Sequence, residues 1–107
     1  MKDGLTFALS FVLKSNKSPY AYIGDPLLCL LLVIKMTCDR GLSKQSMVAQ
    51  SQQHLSRRPF SACFAKNEKL LIVGEIEGIL ELFSLMIPES PVKLSKIDLY
   101  ALDVIPT

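Results

Sequence analysis

The sequence predicts an all-β protein made of antiparallel units of three to four strands. Three observations point to this fold class. Apolar segments of strand length are separated by clusters of Ser, Asn, Asp, Gly and Pro. Several segments alternate between the two faces of a strand or end in glycine. The chain has 107 residues, half of them hydrophobic, which is enough for one domain with one core.

The first half of the chain contains three predicted strands. They cover residues 6–13, 20–24 and 28–35. A polar turn, KSNKSP, separates the first two, and Asp25-Pro26 marks the turn before the third. The third segment is apolar on both faces, as expected for a strand that is covered on both sides.

The middle of the chain is polar and is predicted to be a linker covering residues 37–59. Within it we expect a loop or short helix at about 43–55, because this part lacks Gly and Pro and carries only a thin apolar stripe. A connection this long is uncommon inside a compact domain. It therefore indicates an insertion, a binding loop or a junction between two units.

The second half has the clearest pattern. Three strands are predicted at 60–65, 69–74 and 79–85, and they should pair as a meander. Residues 75–78 (EIEG) form the hairpin connection, in which Gly78 can adopt a positive φ. Residues 94–102 are predicted to be a fourth strand.

The two halves resemble each other, which divides the chain into a unit at 6–35 and a unit at 60–102. Each unit begins with two phenylalanines four positions apart. Each then has an apolar strand that ends in glycine and an acid, Gly24-Asp25 in the first unit and Gly74-Glu75 in the second. A return strand follows in both.

This unit resembles a WD40 repeat, the four-stranded blade of a β-propeller. The resemblance is best over 60–85, and 6–35 matches more weakly. Phe64 lies at the aromatic end of the first strand, 75–78 at the acidic hairpin that ends in glycine, and Phe83-Ser84 where the family has Trp-Asp. The Gly-His pair and the turn aspartate of the family are missing, so these repeats are degenerate.

The resemblance implies a partial WD40-like β-propeller. A propeller closes with about four to eight blades of near 40 residues each, and this chain holds two. It implies a non-enzymatic scaffold that recruits other proteins, subunits of a larger assembly, in the cytoplasm. Similar divergent proteins serve motor or ciliary complexes. The candidate partner-binding residues are Arg57 and Arg58 of the polar segment and Glu75 and Glu77 of the hairpin.

No catalytic, metal or cofactor pattern stands out in the sequence. The single histidine lies in a polar segment, and the three cysteines include no CxxC pair. A net charge of +2 does not indicate a nucleic-acid partner, and no apolar run reaches the roughly 20 residues of a membrane span. Two alternatives stay open: a small α+β ligand-binding or enzymatic domain, and a truncated product without independent function.

Overall fold

The computed structural model describes residues 9–39 and 44–101, and this part of the chain is built from β-strands. The strands are β1 (Phe11–Lys14), β2 (Tyr20–Asp25), β3 (Leu30–Asp39), β4 (Lys44–His54), β5 (Pro59–Ala65), β6 (Leu70–Glu75), β7 (Ile79–Ser84) and β8 (Val92–Asp98). One 3-10 turn, Ile76–Gly78, joins β6 to β7. Apolar residues of high β-propensity dominate the central strands β2, β3, β6 and β7.

The strands form two four-stranded antiparallel meanders. Sheet A has the order β1-β2-β3-β4 and sheet B the order β5-β6-β7-β8. The all-β prediction is therefore confirmed, as is the meander predicted at 60–65, 69–74 and 79–85. No α-helix occurs among residues 9–39 and 44–101, so the α+β alternative is wrong in its fold. The predicted fourth strand at 94–102 begins and ends earlier, as β8.

The prediction of a loop or short helix at about 43–55 is wrong. The described part of that segment is β4, which pairs with β3 along its whole length, from Leu30 opposite His54 to Asp39 opposite Lys44. The polar composition misled the prediction because β4 is an edge strand. It gains its conformation from the hydrogen-bonding edge of β3 rather than from burying apolar side chains. Of the predicted linker 37–59, only residues 55–58 connect the two sheets.

The core lies between the two sheets. We call the face that each sheet turns toward this core its inner face, and the opposite face its outer face. Sheet A contributes Tyr22, Leu31 and Val33, and sheet B contributes Leu71, Val73 and Phe83; Leu55 and Leu85 complete the buried cluster. The Tyr22 and Phe64 rings meet edge to face with centroids 5.8 Å apart, a favoured geometry for aromatic pairs.

The strand registers define how the two sheets correspond. In each sheet a loop of four residues joins the first two strands. In sheet A, Ser15 N donates to Tyr20 O (3.0 Å) at the end of this loop, and in sheet B, Ala65 pairs with Leu70. Aligning these hairpins matches Gly24 with Gly74, as the sequence repeat predicts. However, Phe11 lies opposite Gly24, whereas Ser61 lies opposite Gly74. Phe11 and Phe64 are therefore offset by three positions and do not correspond; Phe7 lies outside the described residues.

The two sheets pack through faces that do not correspond to each other. Residues directly opposite across a ladder share a face. In sheet A, Gly24 shares the inner face with Phe11 and Leu31. In sheet B, Gly74 shares a face with Ser61 and Leu80, and this is the outer face. The sheets are therefore stacked head to tail, and the outer face of sheet B is the counterpart of the inner face of sheet A.

Candidate interaction surface

Two buried carboxylates hold the connection between the sheets. Glu75 lies at the end of β6 and Glu81 in the middle of β7, both on the inner face and at most 1% exposed. Glu81 Oε2 accepts from Ser56 N at 2.9 Å, and Glu75 Oε1 accepts from Arg57 N at 2.8 Å. The backbone of the connection thereby finds the acceptors that a sheet would otherwise supply. The two glutamates fix where the chain enters β5.

Burial and mutual proximity give the two carboxyl groups different protonation behaviour. Burial, opposed by the hydrogen bond from Arg57 and reinforced by the neighbouring Glu81 charge, raises the pKa of Glu75 to about 7. Burial also acts to raise the pKa of Glu81, but the hydrogen bond from Ser56 and the positive charge of Lys93 outweigh it and hold that pKa below its ordinary value. Glu81 is therefore ionised at neutral pH, whereas Glu75 is divided between its protonated and ionised forms.

Lys93 on β8 supplies the counter-charge. Its Nζ lies 2.9 Å from Glu81 Oε1, forming an ion pair in which the carboxylate is fully buried and the ammonium is partly exposed. We regard this close charge pair as satisfying Oε1, although its geometry is not that of a hydrogen bond. Glu75 Oε2 has no hydrogen-bond partner among the described residues. An unionised Glu75 suits this position, because a neutral carboxyl group is less costly to leave unpaired.

A cleft lies at the surface beside the connection between the sheets. It has a volume of about 310 Å³ and is lined by Arg57, Glu77, Ile79, Asp98 and Tyr100. Arg57 Nε donates to Glu77 Oε1 at 2.7 Å, and both side chains are more than half exposed. An exposed pair of this kind contributes little to stability, so both groups can exchange partners at low cost.

The hairpin geometry positions one wall of the cleft. Gly78 has φ +74°, and a Cβ placed on it would lie 3.0 Å from the Tyr100 ring. Gly78 O accepts from Leu99 N at 2.7 Å, which carries the chain back over the turn. Tyr100 is 71% exposed, so most of its ring faces solvent beside the ion pair. Aromatic and arginine side chains together are common in protein interfaces.

The predicted site residues separate into two groups. Arg57 and Glu77 form the ion pair described above, and the Arg58 side chain is exposed on the same connection, its carbonyl accepting from Ile76 N at 3.0 Å. Glu75 is buried and cannot contact a partner in this conformation, because its side chain turns into the sheet to accept from the Arg57 backbone. The structure therefore removes Glu75 from the predicted surface.

Sequence reasoning missed Asp98 and Tyr100. Asp98 ends β8 and Tyr100 follows it, about 40 positions after Arg57, and both join the cleft only because β8 pairs with β7. The one local signal was the run Asp98-Leu99-Tyr100 at the end of a strand: Asp98 Oδ1 accepts from Tyr100 N and Ala101 N, as aspartate often does in turns.

A second cleft lies at the opposite end of the sheets, where the corresponding hairpins meet. Ser15 Oγ donates to Glu68 Oε1 at 2.6 Å, Asn16 N donates to Glu68 Oε2 at 3.1 Å, and Lys17 Nζ donates to Asn67. The floor includes Tyr22, whose hydroxyl donates to Pro88 O at 2.8 Å. These contacts tie sheet A to sheet B, which makes this end a structural joint.

Comparison with known proteins adds no assignment. No known protein-family model matches this chain, and no curated protein has a matching sequence. Among residues 9–39 and 44–101, no helix is long and apolar enough to cross a membrane.

Proposed function

We propose that this chain is a non-enzymatic scaffold, two adjacent blades of a partial WD40-like β-propeller that recruits other proteins into a larger assembly. One observation carries the proposal: the two meanders stack head to tail through non-corresponding faces. Stacking of this kind is heterologous, so two sheets alone leave an uncovered face at each end, where a further sheet can stack. A β-sandwich that packs corresponding faces together would be complete with two sheets.

The connection and the β6–β7 turn are the proposed contact surface for partner proteins. Arg57, Arg58 and Glu77 are exposed there, and Tyr100 adds an aromatic side chain at the rim of the cleft. The buried pair of Glu75 and Glu81 fixes the backbone beneath them, so the exposed groups project from a rigid support. A surface that is rigid and rich in Arg and Tyr suits recognition of an acidic or aromatic protein segment.

On the sequence resemblance alone we also propose a cytoplasmic location, in an assembly of the motor or ciliary kind. Cysteine usage fits a reducing compartment: Cys29 and Cys63 are free thiols. Cys29 is half-buried and Cys63 is exposed.

The proposal is tested by comparing the proteins that co-purify after cross-linking from cells that make this chain naturally. One sample carries the wild-type chain and a second carries the double variant Arg57→Glu/Arg58→Glu. The matched control is Lys66→Glu/Lys69→Glu, which changes the charge equally at exposed positions of the β5–β6 turn, outside the surface. We expect at least one protein to be recovered with the wild type and the control and lost with the arginine variant. An identical set from all three samples would contradict the assignment of the surface.

A further inference from the structure

The outer face of sheet B is an apolar surface without a cover among the described residues. Its central side chains are Ile72, Leu80 and Leu82, all half-buried, flanked on β5 by the exposed Ser61 and Cys63. No charged residue lies among these five. Such a surface on a four-stranded sheet calls for a partner layer.

The chain itself indicates what kind of layer covers this surface. The corresponding face of sheet A is its inner face, where Tyr22, Leu31 and Val33 occupy the positions of Ile72, Leu80 and Leu82. That face is covered by the inner face of sheet B. The inner face of sheet A and the outer face of sheet B correspond residue by residue. We therefore expect the outer face of sheet B to be covered by a surface similar to the one that covers the inner face of sheet A.

The counterpart of the covering face is also present in the chain. By the same alignment, the inner face of sheet B corresponds to the outer face of sheet A, where Leu32 and Ile34 occupy the positions of Glu81 and Phe83. Both are half-buried, and the neighbouring Val12 is 59% exposed. Leu32 also replaces the buried Glu81, so the outer face of sheet A lacks the central charge that sheet B carries.

We propose that a second copy of this chain covers the outer face of sheet B with the outer face of its own sheet A. The contact repeats the stacking of sheet B on sheet A within one chain, and it rests on the partial-propeller architecture proposed above. Since the contact is heterologous, a growing stack keeps one free face at each of its two ends. The stack closes when the blades complete a ring. With two blades in each chain, two to four copies supply the four to eight blades of a propeller.

The test uses two variants that each damage one face. Leu82→Lys places a charge on the outer face of sheet B, and Leu32→Lys does so on the outer face of sheet A. Leu27→Lys, at a turn residue that is 75% exposed, is the matched control. Mass is measured by light scattering after size-exclusion chromatography over a range of protein concentrations. Circular dichroism checks that each variant keeps the strand spectrum of the wild type.

We expect the wild type and the control to form discrete multiples of the 11.9 kDa chain. Each face variant alone should be a monomer. An equimolar mixture of the two variants should form a one-to-one dimer, because each supplies the intact face that the other lacks. A wild type that stays monomeric, a Leu32→Lys variant that still assembles, or a mixture that stays monomeric would overturn the inference.

A second measurement needs no substitution. Cys63 is exposed, and its counterpart Leu13 packs against the core of sheet A. The rate of alkylation at Cys63 in the wild type, measured by peptide mass spectrometry, should fall as the protein concentration rises. An unchanged rate at Cys63 would overturn the inference. A monomeric wild type whose co-purifying partners still depend on Arg57 and Arg58 would overturn this inference alone and leave the proposed function standing.

Discussion

We expect the free energy of unfolding of the wild type to fall between about pH 5 and about pH 8, and replacing Glu75 by glutamine should abolish most of that fall. Glutamine has the shape of the protonated glutamic acid and carries no charge at any pH. Its carbonyl oxygen can still accept from Arg57 N, as Glu75 Oε1 does at 2.8 Å. Its amide nitrogen takes the place of Oε2, which has no hydrogen-bond partner among the described residues. The substitution therefore removes the titration of this side chain and keeps its contacts.

The magnitude follows from the raised pKa. The pKa of Glu75 is about 7 in the folded chain against an ordinary value of 4.5, so between these values the folded state binds the proton and the unfolded state does not. The stabilisation from this proton is fully present below pH 4.5 and is lost as the pH rises through 7. Between about pH 5 and about pH 8 the loss amounts to roughly 2–3 kcal/mol. Glu81 acts in the opposite direction, since its lowered pKa costs stability only as the solution becomes more acidic.

The assay is urea unfolding followed by circular dichroism at several pH values in this window. The quantity compared is the change in the free energy of unfolding with pH, wild type against Glu75→Gln. Groups distant from Glu75 contribute equally to both, and Glu81, whose pKa is lowered, stays ionised across this window. Glu77→Gln is the matched control, since that side chain is 62% exposed and two positions away. Equal slopes for the wild type and Glu75→Gln would refute the argument that Glu75 is buried as a neutral acid.

Three further substitutions test other parts of the structure by urea unfolding. Tyr22→Phe deletes the hydroxyl that donates to Pro88 O and should lower the free energy of unfolding by about 1 kcal/mol; no loss would mean that the bond does not join the sheets. Phe83→Ala should cost about 3–5 kcal/mol because this ring is fully buried in the core. The same truncation at Met86, 73% exposed, should stay within about 0.5 kcal/mol, and equal losses would contradict the core assignment. Lys66→Gly should add about 0.5–1 kcal/mol, because Lys66 has φ +54° and glycine adopts that conformation without strain; a loss would contradict it.

Strand identity was predictable wherever apolar runs were bounded by turn residues. The predicted strand at 20–24 is β2 with one residue added, and the predicted strand at 79–85 is β7 with one residue removed. The signal failed at β4, whose Gln and Ser side chains give no apolar period. Two of them instead bond to the loop that joins β7 to β8: Ser51 Oγ donates to Glu89 O and Gln53 Nε2 donates to Pro91 O. Such contacts depend on the packing of distant segments.

The candidate surface was predictable only in part for a related reason. Charge at Arg57, Arg58 and Glu77 is visible in the sequence, but the burial of Glu75 is not. Glu75 and Glu77 are both acidic residues of one turn, and they differ because β6 ends with the Glu75 side chain on the inner face. Which of the two is buried is decided by the ladder register, which a single sequence does not specify by composition.

The meander order of each sheet also has a consequence for the path of folding. Every strand pair joins neighbours in the chain, so either sheet can form from local hairpins with short loops to close. The contacts that join the sheets are far apart in sequence: 53 positions for Ser15 with Glu68 and 66 positions for Tyr22 with Pro88. Forming these contacts costs the larger loop-closure entropy, so docking of the two preformed sheets should limit the folding rate. Substitutions at the joint between the sheets would then slow the docking step itself. Substitutions in the hairpins would instead change the fraction of molecules whose sheets are formed before docking.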